Sequence, residues 1–295
     1  MNDLLKNHIK LHFVVLIYGF TAILGKLINL PAAEMVLIRM FIAFTSLGVY
    51  MFFKKIPLIT HPQTVFRLLG VGIIVALHWI TFFHAIKISN VSVTLGCLAS
   101  TTLFTSLMEP IIMKRRFKSL EIIIGLVIII GLYLIFQFEM DYKTGIITAL
   151  ASAFLAGLFT VLNKVFITKH NPVTISFYEM GSGFMGITLF FIFGGDAMNT
   201  LHIPSLTDWL WLLLLGIVCT AYAFVVAVDV MKILSAYAVV LTINMEPVYG
   251  ILLAYFIFGS TEFMSGGFYI GTLVILSAVF LHPVLQRKLT NTKIQ

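Results

Sequence analysis

The stretch LTINMEPVYG, residues 241–250, sets Asn244, Glu246 and Pro247 inside an apolar run, 233–258, that carries no other charge. An ionised carboxylate at such a depth costs about 2.5–3.5 kcal/mol on an insertion scale measured for Asp. Glu246 must therefore face a wet cavity, find a partner or hold a proton. Two readings follow: a proton-coupling or amine-binding group, or a carboxyl that hydrogen-bonds a neighbouring helix. Pro247 removes one backbone bond and kinks the helix, either to expose carbonyls or only to shape it. On one helix Thr242, Glu246 and Tyr249 share a face, because residues three and four apart are neighbours.

Other polar side chains interrupt other apolar runs. Thr94, Thr101 and Thr105 recur at helical spacing, as cavity hydroxyls or as small interface residues that bond their own backbone. His78 and Trp79 lie mid-run, where a neutral imidazole could meet a substrate or bond across helices. His78 and His84 are six residues apart, which is not the spacing of a metal pair on one helix face, so no metal is expected. Tyr222, a candidate to line a substrate cavity, is placed on the face of Asp229, seven residues on, and Asp229 is read as an end-of-helix or gating group. Arg39 and Glu179 stand too far apart in depth to pair and are read as structural charges with local partners. Glu109, near Lys114 and Arg115, reads as a solvated or ion-paired helix end. There is no Walker A loop, no HExxH and no nucleophile elbow. The chain reads as a non-enzyme without a cofactor.

The composition says what must position these groups. Of 295 residues, 60% are hydrophobic and 11% charged, and the mean hydropathy is +1.06. Soluble domains carry about 25% charged residues. The solvent for most of this chain is lipid. The net charge of +7 does not mark a nucleic-acid binder, since the basic residues sit in short loops and form no stripe. Cys97 and Cys219 lie within apolar runs as small packing residues. The N-terminus has a basic start but no small-x-small cleavage site, so it reads as an uncleaved first helix.

A spanning helix needs about 20 apolar residues. Ten runs qualify: 10–28, 33–53, 67–87, 90–113, 119–138, 144–167, 173–194, 208–230, 233–258 and 266–286. Only helices or closed barrels satisfy the backbone in hydrocarbon, and these runs are too long for barrel strands. The expected fold is an all-α membrane protein of ten transmembrane helices. Fifteen of the nineteen Lys and Arg fall on one side, including Lys54, Lys55, Lys114, Arg115, Arg116 and Lys293. The positive-inside rule makes that side cytoplasmic, with both termini inside.

The halves align on one another. GKLI (25–28) matches NKVF (163–166), IRMF (38–41) lies opposite YEMG (178–181), and HAIKISNVSV (84–93) lies over DVMKILSAYA (229–238). That last register puts Thr101 opposite Glu246. Five spans per half is odd, so the second repeat, 141–295, is inverted relative to the first, 1–140. Inverted repeats around a midplane site are a common transporter plan.

With LIRMFIA in span 2, HAIKIS ending span 3, LASTTLFTSLMEPIIMKRR in span 4 and NMEPVYGILLAYFIFG in span 9, the chain resembles the drug/metabolite transporter superfamily, specifically its EamA-type ten-helix exporters. The resemblance implies a multi-pass carrier of a cell membrane of the bacterial inner-membrane kind. It also implies a central cavity between the halves, spans 5 and 10 at the periphery, and a small polar metabolite, often an amino acid, as substrate. Where the family often ends span 9 with Gly-Glu, this chain has FGSTEF, so no role is carried onto Glu262. The function expected is secondary transport by alternating access, outward, with protons as the candidate coupling ion. The rival readings are a non-transporting scaffold and a passive channel. The partners expected are a small molecule and the lipid bilayer, the protein itself being a monomer or a homodimer in which the Gly267/Gly271 pair packs helices.

Overall fold

The computed structural model describes residues 3–59, 61–194 and 201–292, so Lys293 of the basic side lies outside the described residues. The chain runs through α1 (Asp3–Leu27), α2 (Ala32–Lys54), α3 (Pro62–Ile88), α4 (Val91–Leu98), α5 (Thr101–Ile112), α6 (Ser119–Phe138), α7 (Lys143–Ile167) and α8 (Pro172–Phe193). It continues through α9 (Leu206–Gly216), α10 (Ala223–Val230), α11 (Ala236–Ile243), α12 (Glu246–Phe258) and α13 (Gly266–Thr292). Among the described residues, nine helical stretches are long and apolar enough to cross a membrane; α13 adds a shorter apolar stretch, Gly266–Ala278. Their outer faces are apolar too: Phe52, Phe193 and Leu206 are each at least 80% exposed, which suits hydrocarbon and not water.

Local signals set the helix ends. Asn90 accepts from the Val93 amide to cap α4, and Ser235 accepts from the Ala238 amide to cap α11. Ser205 and Asp208 form a reciprocal capping box on α9. Pro62 and Pro172 open α3 and α8, where no helical N–H bond is lost.

Two expected spans are not continuous helices. Span 4 is interrupted at Ala99 and Ser100, between α4 and α5, and span 9 at Asn244 and Met245, between α11 and α12. At both places the backbone tightens to three-residue bonds: Ser100 N–H to the Cys97 carbonyl, and Met245 N–H to the Thr242 carbonyl. Pro247 therefore does not kink a running helix. It sits in the first turn of α12, where its missing N–H leaves no helical bond unmade. The register that puts Thr101 opposite Glu246 lays Val91–Leu98 over Ala236–Ile243 residue for residue, with Thr101 and Glu246 each opening the following helix. A third irregularity is a wide π turn, Ile217–Tyr222, between α9 and α10.

The two interruptions hold each other. Asn244 Nδ2 donates to the Ala99 carbonyl at 3.2 Å and to Thr102 Oγ1. Away from this centre, α13 lies against α6 at close range. A Cβ on Gly271 would stand 2.7 Å from the Gly131 carbonyl oxygen, and one on Gly267 would collide with Phe138. The glycine pair thus serves packing within the chain.

Candidate functional site

A cavity of about 90 Å³ lies where the interruptions meet. The helices that reach it are α1, α2, α3, α4, α5, α7, α10, α11 and α12; among the described residues α6, α8, α9 and α13 contribute none to its lining. Its walls are mostly apolar and aromatic, with Phe82, Phe159 and Phe224 on three helices. A few polar groups converge among them, the usual composition of a small-molecule site.

Glu246 lines this space. It is 6% exposed, and among the described residues its carboxylate takes no hydrogen bond and no ion pair. It stands in the first turn of α12, where the amides of a helix N-terminus favour negative charge. Arg39 lines the same space from α2. Its Nε donates to Thr220 Oγ1 at 2.7 Å, and its guanidinium carbon lies 3.8 Å above the centre of the Trp79 ring. The π turn explains that anchor: Thr220 donates to the Leu215 carbonyl five residues back and still offers its oxygen to Arg39.

His78 is fixed by α7. Its Nδ1 lies 2.9 Å from both the carbonyl and the hydroxyl of Ser152. A carbonyl only accepts, so the bond to it places the proton on Nδ1. Thr101 lines the cavity while donating to the Leu98 carbonyl at 2.7 Å, and Asn244 lines it as the link between the interruptions.

The structure therefore gathers Glu246, Asn244, His78, Trp79, Thr101 and Pro247 around one space and adds Arg39, which the sequence placed only in a structural network. It leaves out three expected residues. Tyr222 is 50% exposed on the outside of the bundle. Phe224, Ala227, Val228 and Met231 line the cavity, and at about 100° per residue Tyr222 sits roughly opposite Phe224. Tyr249 turns to α1, with its Cβ 3.2 Å from where a Cβ on Gly19 would stand. Thr242 donates to the Ala238 carbonyl, and the tightened turn at Asn244 separates its face from that of Glu246. Glu179 is fully buried away from the cavity, accepts from Asn163 Nδ2 at 3.3 Å and forms no pair with Arg39.

Sequence reasoning missed Tyr18 and Thr21, which line the cavity from α1. Their signal was present: polar groups three apart in an apolar run. It assigned no role to Glu262, which stands at the end of the bundle opposite Glu109. Glu262 is buried, pairs with Lys26 at 2.7 Å and accepts from the Ser92 amide at 2.9 Å. Glu109 is ion-paired, as one reading of the sequence had it, but it is buried and not solvated. It pairs with Arg115 at 3.2 Å and accepts from the Tyr237 amide at 3.2 Å.

Relatives agree with this architecture. The profile of the EamA-like transporter family matches residues 8–137 and 143–282. An uncharacterized transporter of Archaeoglobus fulgidus is 31% identical over 153 residues, covering 52% of this chain and 53% of the relative, so the chain spans about half the length of that protein. Uncharacterized transporter YxxF of Bacillus subtilis is 21% identical over 254 residues, covering 83% of this chain and 79% of the relative. A solved crystal structure superimposes with a TM-score of 0.69 over 95% of this chain and 98% of its own at 16% identity, a likeness of fold. With its long apolar helices this is a multi-pass membrane protein, and the chain belongs to the EamA-like transporter family.

Proposed function

We propose that the protein is a secondary carrier that moves a small polar metabolite, an amino acid or a related compound, across the cytoplasmic membrane by alternating access, with net export. The observation that carries the proposal is the unpartnered carboxylate of Glu246 facing a small cavity at two mutually bonded helix interruptions. Tightened backbone in mid-span is a frequent mark of a hinge. Broken helices around a midplane site are a transporter arrangement.

The halves 1–140 and 141–295 act as inverted repeats, with both termini cytoplasmic. The matched bounds of α4 with α11, and of the starts of α5 and α12, support this reading. Two halves of one design can exchange conformations, so one cavity opens to either side in turn. Glu246 carries the coupled proton, since it is the cavity carboxylate without a protein partner. Asn244, His78, Trp79 and Thr101 contact the solute.

The test is counterflow in proteoliposomes preloaded with amino acids, amines, sugars or nucleosides. A carrier gives saturable exchange of labelled solute for at least one class. Flux that rises linearly with concentration means a channel, and no flux for any class leaves a scaffold.

A further inference from the structure

The cavity holds two opposite charges that do not pair. Arg39 and Glu246 both line it, yet no ion pair joins them. Arg39 is 1% exposed, and its Nη1 is buried and donates to no described residue. Nε is already committed to Thr220, and the flat face of the guanidinium to Trp79. Nη1 is left without a described acceptor, in a plane set by those two contacts.

We infer that Arg39 is the anion anchor of the cavity: a carboxylate on the transported solute seats on its terminal nitrogens. The inference rests on the carrier reading and goes beyond it by assigning a specificity-determining residue. A buried donor without an acceptor carries its full desolvation penalty. A guanidinium has five donors and no means of discarding its charge, so the vacancy is filled by an acceptor and not relieved by proton loss. Arginine with a carboxylate makes the strong, geometrically specific, two-bond pair. The surroundings make the anchor rigid. The π turn fixes Thr220, Thr220 fixes Nε, and Trp79 fixes the plane of the fork. A purely structural arginine on the same helix would find protein acceptors for its remaining donors. The apolar walls (Phe82, Phe159, Phe224) add that the rest of the solute is small and largely apolar, with any cationic group turned to Glu246.

The experiment compares alanine, valine, leucine and phenylalanine with their carboxamides, which keep the amine and lose the carboxylate. Binding to purified protein in nanodiscs is read by thermal shift, and carriage by counterflow. At least one acid binds at least tenfold more tightly than its amide. Arg39→Gln lowers binding of that acid at least tenfold and leaves the amide unchanged, while Arg39→Lys restores part of the difference. Thr220→Val, which leaves the arginine in place but frees its Nε, weakens the acid and spares the amide; it keeps the test alive should Arg39→Gln fail to fold. Equal binding of acid and amide by the wild type, or full acid binding by folded Arg39→Gln, overturns the inference. Carriage of a sugar or nucleoside but of none of these acids also overturns it while the carrier reading stands. If no solute is carried, both fall.

Discussion

Glu262 and Glu109 do the same thing at opposite ends of the bundle. Glu262 accepts from the amide of Ser92 in the first turn of α4, and Glu109 from the amide of Tyr237 in the first turn of α11. Ser92 and Tyr237 are matched positions in the register that overlays the two interrupted spans. Each carboxylate also holds a cation, Lys26 for one and Arg115 for the other. A carboxylate at a helix N-terminus is favoured by the helix dipole, and its cation offsets part of the cost of burial. On the carrier reading proposed above, each pair would act as a latch at one end of the cavity's access route.

Cutting the latches should bias the two ends separately. In a background free of native cysteine, Thr160→Cys places a thiol in the cavity wall. Adding Glu262→Gln should raise its labelling by an impermeant reagent applied from the Lys26 end. Adding Glu109→Gln should raise labelling from the Arg115 end. Each glutamine also weakens a cap and an ion pair, a loss of about 1–3 kcal/mol visible in thermal unfolding. Labelling from the same end in both variants would refute the latch assignment.

The link between the interruptions is a stability element. Asn244→Ala removes two buried bonds at once and should destabilise by about 1–2 kcal/mol in detergent. Thr102→Val should cost less. The double variant should show coupling of at least about 0.5 kcal/mol in a mutant cycle, since the two side chains touch. Additive losses would mean that the interruptions do not depend on one another.

Gly271 sets how closely α13 can lie on α6. Gly271→Leu drives a side chain into the Gly131 carbonyl and should cost about 1–3 kcal/mol through overpacking. Circular-dichroism melting in detergent measures that loss. Size-exclusion chromatography with light scattering should show an unchanged mass distribution. A shift from dimer to monomer would show instead that this glycine packs between copies.

Tyr222→Phe should leave counterflow unchanged, because this side chain, the last of the π turn, faces outward. The comparison separates the structure from the sequence reading, which placed Tyr222 in the cavity. A tenfold loss of flux would return it there.

What could be read in advance follows from the physics of each feature. Spans announce themselves, because about 20 apolar residues in a row have few other uses. The register that lays span 4 over span 9 has a cue in the sequence, since Lys-Ile and Lys-Ile-Leu stretches stand before α4 and α11. The interruptions could not. Ala-Ser is unremarkable inside an apolar run, Asn244 stood out only as a polar side chain, and its bond to another span has no local signal. The π turn gives no compositional signal either; Tyr222 does share a face with Asp229, but it is the opposite face, that of Phe224, Ala227 and Val228, that lines the cavity. Glu262 looked like a loop residue because its partner Lys26 is remote in sequence. Arg39 looked structural because Thr220 and Trp79 do hold it; only the geometry reveals donors to spare.

If the Glu246 carboxylate works in the cavity and is not merely packed there, Glu246→Gln must change transport in proteoliposomes under an imposed pH gradient, for any solute the wild type carries. Glutamine keeps the shape and removes the titrating proton. Gradient-driven accumulation should disappear while the variant stays monodisperse and melts as the wild type does. Accumulation at the wild-type rate and extent would mean that the carboxylate is only packed there.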